Sequence, residues 1–264
     1  MEILRFAFSG EDREASVLAP LTDFLSTMIG KEIVPTPLGT YPALLEALRT
    51  GWCALGWLPP LVAHDLDVCR QAVPLAAASR RGGRSYSACF VASRESRIWH
   101  VGQLAGTRVG WVSKLSAAGY VVPRWHLTSL GRKPESLFAS EKMYGTHRAV
   151  RRALGSECDV VATYVETGFG ERVTSSIEVP HRVIAVSGPI PSDVVSASAR
   201  LDVALRERLG RALLSFEAPP ESRLVERTRV ERFTTVTSGH WSPVERWQHW
   251  GRQLSAVREA CAVA

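Results

Sequence analysis

Between residues 3 and 58 short apolar runs alternate with helix-patterned stretches, and that alternation constrains the fold more than any other feature of the chain. Residues 3–8 read as a compact apolar strand. After the polar residues 9–13, Val17, Leu18, Leu21, Phe24, Leu25 and Met28 recur at helical spacing, and Gly30 suits the position just past a helix end. Residues 32–35 form a second strand. Thr40 can cap the next helix, Pro42 fits its first turn, and Leu44, Leu45 and Leu48 supply its apolar face before Gly51 ends it. Residues 54–58, stopped by Pro59 and Pro60, make a third strand. Strand, helix, strand, helix, strand predicts an α/β fold, a mostly parallel sheet with helices on its faces.

A second cycle follows the strand at 73–78 and the loop at 79–85. It comprises strands at 86–93 and 109–112, a helix from Gly119, strand 137–140, helix 147–154 and strand 159–163. Residues 183–186 are another strand, and the run from Gly188 to Ser192 breaks the pattern. Two long helices close the chain, one carrying Leu201, Leu205, Leu209, Leu213 and Phe216, the other Val244, Trp247, Leu254 and Val257. With 264 residues there is material for one large domain or two halves. Two cycles of similar size, without a linker or repeat between them, favour two lobes: residues 1–87 with 188–264, and residues 88–187.

Composition excludes several function classes. Charged residues are 22% and hydrophobic ones 45%, an ordinary globular balance, and no stretch reaches transmembrane length, so membrane insertion is not expected. An arginine excess gives a net charge of +6 and a pI near 9.3, yet no run of five or six like charges occurs. That argues against a nucleic-acid partner and leaves a mild positive field suited to a small anion. The cysteines (Cys53, Cys69, Cys89, Cys158 and Cys261) are odd in number and scattered without CxxC spacing, so they imply neither a disulfide framework nor a zinc site. Buried free thiols are expected, and no metal or cofactor. The N-terminus shows no basic segment followed by a long apolar one. As written the chain reads as cytoplasmic, and as periplasmic or extracellular if a leader has been trimmed.

The stretch Trp111-Val-Ser-Lys-Leu-Ser-Ala-Ala-Gly-Tyr120 carries the chemistry. A buried strand turns through small residues into a helix start, which leaves backbone N–H groups unpaired at the positive end of the helix dipole. That is a site for an anion, or an ordinary strand-to-helix turn. Ligands of open α/β sheets sit at such strand ends, and a turn at Thr40 and Tyr41 is built the same way.

Several pieces resemble, in order, the phosphate/phosphite/phosphonate-binding family, the substrate-binding components of ABC importers. They are Thr40-Tyr41-x-Ala43-Leu-x-Glu-Ala-Leu-x-x-Gly51, Leu55-Gly-Trp57-Leu-x-Pro60-Leu and Tyr86-x-x-x-Phe-Val-Ala-Ser-Arg. Leu104-Ala-Gly-x-Arg-Val-Gly-Trp-Val, Ser116-x-x-Gly119-Tyr120-x-x-Pro123-Arg124 and Gly145-Thr146-His147-x-Ala-Val-x-Arg-Ala-Leu complete the set. The resemblance implies a two-lobed type II periplasmic-binding-protein fold whose cleft closes by a hinge, near residues 86–90 and 186–189, around a small oxyanion or phosphonate-like solute. It implies Tyr41 and Tyr86 as cleft-lining residues and His147 as a ligand contact. The family's Ser-Thr-Ser-Gly-Tyr turn matches Ser116, Ala117, Ala118, Gly119 and Tyr120. It further implies an ABC transporter permease as partner if the protein is exported.

The departures bear on the ligand. Ala117 and Ala118 lack two of the family's three hydroxyls, each contact to a charged oxygen being worth about 1.5–3 kcal/mol. Thr163 and Tyr164 stand where family members often carry the acids that read an amine, so unchanged 2-aminoethylphosphonate specificity is not expected. The ligand-binding candidates are Tyr41, Trp57, Tyr86, Ser116, Ala117, Ala118, Tyr120 and His147. Ser116 also suits a helix cap, Tyr41, Tyr86 and His147 also suit packing or capping roles, and Trp57 fits core and cleft wall equally. Arg80, Arg81 and Arg84 read as a solvated loop, Trp241, Trp247 and Trp250 as packing for the terminal helices, and Cys89 as an inert core thiol. A solute-binding protein without chemistry of its own leads. A cytosolic ligand sensor, or a small-molecule enzyme using His147, Tyr41, Tyr86 and Glu166 as acid–base groups, are the alternatives.

Overall fold

A computed structural model of the chain describes residues 3–9, 15–80, 83–165 and 179–250, the last three of these by backbone alone. The elements in chain order begin β1 (Ile3–Ser9), α1 (Ala15–Ile29), β2 (Glu32–Leu38), α2 (Tyr41–Arg49), β3 (Leu55–Leu58), α3 (Pro60–Val68) and β4 (Ala72–Arg80). Next come β5 (Ser85–Ser93), β6 (Arg108–Trp111), α4 (Val122–Ser129), α5 (Pro134–Leu137), β7 (Ser140–Met143), α6 (His147–Arg152) and β8 (Val160–Val165). The chain continues through β9 (His181–Pro191), β10 (Val194–Ser198), α7 (Val203–Ser215), α8 (Arg223–Thr228), β11 (Val230–Thr234) and α9 (Ser238–Trp250).

The first of two units spans Met1–Arg84 with Pro191–Ser242 and holds a six-stranded sheet in the order β11-β4-β10-β3-β1-β2. β1 runs parallel to both neighbours, with Ile3 opposite Glu32 and Phe6 opposite Leu55. β10 runs antiparallel to β3 and β4, and β11 antiparallel to β4. β2 contains Pro35 and Pro37, which cannot donate to a ladder, and accordingly lies at the edge. Leu4, Phe6 and Phe8 alternate onto one face, where Leu18, Leu21 and Leu25 of α1 and Leu209 and Leu213 of α7 pack with them. On the opposite face Gly56 admits α2, since a Cβ there would lie 2.7 Å from Leu48 Cδ2.

The second unit, Ser85–Ile190 with the chain from Pro243, holds a five-stranded sheet in the order β7-β6-β8-β5-β9. β6 is parallel to β7 and β8, while β5 runs against β8 with Cys89 opposite Thr163. Its core centres on the fully buried Trp111, ringed edge-on by Phe90, Tyr120 and Phe138 at 5.9, 5.4 and 5.6 Å. The sequence places all of residues 188–264 in the first lobe; the structure groups the chain from Pro243 with the second unit. Helical periodicity shows that Val244 and Trp247 are buried but not against what.

Other differences have local causes. Pro59 and Pro60, expected only to stop β3, also start α3, because a proline in the first turn gives up no intrahelical bond. Pro134 likewise starts α5, which moves β7 to Ser140–Met143 from the expected 137–140. β10, α8 and β11 are absent from the sequence reading. β9 runs eleven residues where four were expected. Leu254 and Val257 lie outside the described residues, as does Cys261. Cys53, Cys89 and Cys158 are buried free thiols, burial pushing Cys53 up to about 11 and Cys89 to about 12, which leaves both inert near neutral pH. No described helix is long and apolar enough to cross a membrane.

Candidate functional site

The turn after β6 is built by side chains that use its backbone groups one by one. Ser113 opens it: its Oγ accepts the Leu115 N–H at 3.3 Å and its carbonyl the Ser116 N–H at 2.9 Å. Ser116, in extended conformation, is the cap, its Oγ accepting the Gly119 N–H at 3.0 Å. Residues Ala117–Val121 then form one wide π turn that runs into α4. Val121 N–H reaches back to Ser116 O, and Val122 N–H to Ala117 O, five residues in each case. Pro123 accounts for the next step. Without an N–H it cannot continue this series, and Gly119 O accepts the Val112 N–H at 3.1 Å. The N–H groups of Ala117 and Ala118 precede the first bond of the turn and have no intrahelical acceptor. The helical conformation thus begins two residues before the expected Gly119.

Val112 also fixes the second helix start. Its carbonyl accepts the Gly145 N–H at 2.8 Å, just ahead of Thr146, whose Oγ1 caps α6 by accepting the Ala149 N–H at 3.2 Å. One residue at the end of β6 therefore holds both the Ser116 turn and the start of α6. The turn also packs on β5 and β8.

Two polar networks brace the arrangement. In the first, Arg124 is 4% exposed, its guanidinium paired to Glu141 of β7 and Glu135 of α5. Glu141 Oε2 also accepts the Trp111 indole N–H at 2.7 Å, and the Arg124 guanidinium lies 5.1 Å from the Tyr120 ring centre. Burial pushes the Tyr120 phenol up, against the pull of Arg124. In the second, Thr163 of β8, fully buried, has its Oγ1 3.0 Å from both Arg151 Nε and His147 Nδ1. The Tyr164 ring stands between groups: Arg151 lies 4.4 Å over it, His147 meets it edge-on at 4.9 Å, and Tyr86 edge-on at 6.3 Å.

The structure thus brings Tyr86, Ser116, Ala117, Ala118, Tyr120 and His147 onto one part of the second unit. Ser116, Ala117, Ala118 and Tyr120 are buried; Tyr86 and His147 are half-buried. Tyr41 and Trp57 belong to the first unit. Tyr41 opens α2 behind Thr40, whose Oγ1 accepts the Ala43 N–H at 3.3 Å, and is half-buried. Trp57 is 2% exposed in the core, packs edge-on against Phe233 at 5.6 Å and donates its indole N–H to Asp193 at 3.0 Å. Of its two readings from sequence, the core one describes this placement.

Arg80, expected in a solvated loop, ends β4 and is mostly buried. It donates to Thr228 O, Ser192 Oγ and Asp193 Oδ2, the last an ion pair at 2.9 Å. Arg81, Glu166 and the Trp250 side chain lie outside the described residues. The sequence reading missed Arg151 and Glu141. A signal was present for Arg151, which stands four residues after His147 on one helix face. No group of three or more His, Cys, Asp or Glu suited to a metal is gathered among the described residues.

Two α/β units of this topology define the two-lobed type II periplasmic-binding-protein fold. A binding-protein component of an ABC phosphonate transporter from Pseudomonas aeruginosa superposes with a TM-score of 0.81 at 15% identity, over 96% of this chain and 87% of that one. PhnD1 from Prochlorococcus marinus, in complex with methylphosphonate, gives 0.77 at 16% identity, over 95% and 98%. XAC2383 from Xanthomonas citri, bound to ATP, gives 0.75 at 20% identity, over 98% and 99%. At these identities the likenesses establish the fold. The family described as ABC transporter, phosphonate, periplasmic substrate-binding protein matches residues 7–241, and the chain belongs to it.

Proposed function

We propose that this family member binds a small anionic, phosphonate-like ligand, closes around it without transforming it, and delivers it to an ABC permease. The observation that carries the reading is the double tie at Val112, which holds the capped turn at Ser116 beside the start of α6 and His147. The Ala117 and Ala118 N–H groups are donors for ligand oxygens, and Ser116, already accepting from Gly119, keeps its hydroxyl proton to donate. Tyr41 of the first unit, with Tyr86 and Tyr120, completes the proposed contact set. Trp57 supports the first unit from its core. Thr163 and Tyr164 offer no carboxylate, which favours an anion without an amine.

The test is a titration with methylphosphonate, phosphite, phosphate, methanesulfonate and 2-aminoethylphosphonate, read by thermal shift and tryptophan fluorescence. Ligand at about a hundredfold excess over its Kd adds about 2.7 kcal/mol to the folded state. For a chain of this size that raises Tm by at least about 5 °C. Methylphosphonate or a close analogue is expected to do so and emerge unchanged, with the aminoethyl compound gaining nothing over it. Absence of any shift across the panel rejects the oxyanion reading. Fractionation of the native protein separates an importer subunit from a cytosolic sensor on the same fold.

A further inference from the structure

We infer that Thr163 and Arg151 are positioning residues that hold His147 in the tautomer with its proton on Nε2, so that the imidazole presents a donor to the ligand. The inference rests on the ligand reading only for its effect on affinity; the tautomer itself is a property of the protein alone.

A threonine hydroxyl has one proton and two lone pairs, and an arginine side chain can only donate. Arg151 Nε, 3.0 Å from Thr163 Oγ1, therefore occupies one lone pair. His147 Nδ1 lies at the same 3.0 Å. If Nδ1 carried the proton it would donate into the second lone pair. The Thr163 hydroxyl proton, on a residue with 0% exposure, would then have no acceptor among the described residues. A buried donor left unmade is costly, whereas accepting from Arg151 and donating to Nδ1 satisfies the Thr163 hydroxyl on both sides. The imidazole proton is then on Nε2, since the bond made by one ring nitrogen decides the state of the other.

Two further contacts fix the geometry. Arg151 is 3% exposed, and its guanidinium lies over the Tyr164 ring at 4.4 Å, which keeps Nε aimed at Thr163. His147 meets the same ring edge-on at 4.9 Å, which sets the imidazole plane. Thr163 is the one fully buried hydroxyl-bearing residue in Val-Val-Ala-Thr-Tyr-Val of β8, a place where an apolar side chain would pack as well, so its hydroxyl is the part that packing does not explain.

The full-length protein is tested with Thr163→Val, which keeps shape and loses the hydroxyl, and Thr163→Ser, which keeps the hydroxyl. Two-bond nitrogen–proton spectra of the imidazoles at mildly alkaline pH report the tautomer, with His147→Gln assigning the signal. Wild type and Thr163→Ser are expected to show His147 wholly in the Nε2–H form, and Thr163→Val a mixture of the two. Methylphosphonate affinity should fall about tenfold in Thr163→Val and stay within about twofold of wild type in Thr163→Ser. In the His147→Gln background Thr163→Val should add no further loss, because it acts through that ring. A wild-type His147 carrying its proton on Nδ1 overturns the inference, as does a Thr163→Val protein that keeps the single Nε2–H form. If the spectra behave as expected and wild type binds none of the oxyanions, the tautomer assignment stands and the ligand reading fails.

Discussion

Replacing Gly119 by alanine puts one methyl group into the narrowest point of the turn. An added Cβ would lie 2.3 Å from Val112 Cγ2, 2.5 Å from Val112 Cβ and 2.8 Å from Ser116 Oγ. Val112 is fully buried and β-branched, so it has no rotamer that clears the space. The turn must lift off the end of β6, which stretches the Val112 N–H to Gly119 O bond and the Gly119 N–H to Ser116 Oγ bond together. Overpacking of this kind costs about 1–3 kcal/mol. Two weakened hydrogen bonds add about 1 kcal/mol each, and the better helix propensity of alanine returns at most about 1 kcal/mol. The net expectation is a loss of about 2–4 kcal/mol in urea unfolding, with anion binding lost as the Ser116 cap opens. The cause is checked by adding Val112→Gly, which removes both the Cγ2 and the Cβ that the methyl meets. The double variant should be less destabilised than the sum of the singles by at least about 1 kcal/mol. A Gly119→Ala protein within about 0.5 kcal/mol of wild type, or strictly additive singles, refutes the close-packing argument.

Four more expectations follow from the same geometry. His147→Ala should weaken anion binding roughly tenfold in calorimetric titration and lower the urea midpoint as well, because it removes the partner of the buried Thr163 hydroxyl. Tyr41→Phe should weaken binding severalfold and leave the midpoint close to wild type. Trp57→Phe should do the reverse: it removes the indole donor to Asp193 and some buried volume, costing about 1–3 kcal/mol of stability with ligand affinity unchanged. Arg124→Met strands Glu141 and the Trp111 indole without their cation and should cost about 2–4 kcal/mol, with altered Trp111 fluorescence. The hydrogen bonds and charge of Arg108 hold the Asp159 carboxyl below its usual range. A lowered native pKa gives stability above the unfolded value of about 3.9 and loses it as pH falls through the native value. Asp159→Asn should therefore lower Tm at neutral and alkaline pH and converge with wild type in strong acid, which flattens part of the acid-side decline.

What the sequence discloses depends on whether a feature is local. Helical spacing in α1 and α2, with Thr40 and Pro42 at the start of the latter, is written within a dozen residues, and those elements form as read. β10 and β11 are short and bordered by Pro191 and the α8 loop, and their partners β3 and β4 lie far away in sequence, so nothing local marks them. The Ser116 turn was legible as a capped strand-to-helix turn from small residues between a strand and a helix. That Gly119 O is held by the Val112 N–H, or that the Val112 carbonyl also receives Gly145, requires the fold. Trp57 shows the same limit from the other side: an indole ahead of two prolines is compatible with wall or core, and only the position of Asp193 separates them. Thr163 and Arg151 lie on different elements, and their common partner His147 becomes visible only when α6 lies on β8.

In the Ser116 turn, each bond that holds the loop in shape involves a backbone group or the hydroxyls of Ser113 and Ser116. The side chains at 117 and 118 hold none of them. In the proposed binding mode, the groups that meet the ligand and those that hold the loop are therefore different atoms of one short segment. The side chains at 117 and 118 can be exchanged without retying the loop, whereas position 119, packed against Val112, has no such freedom.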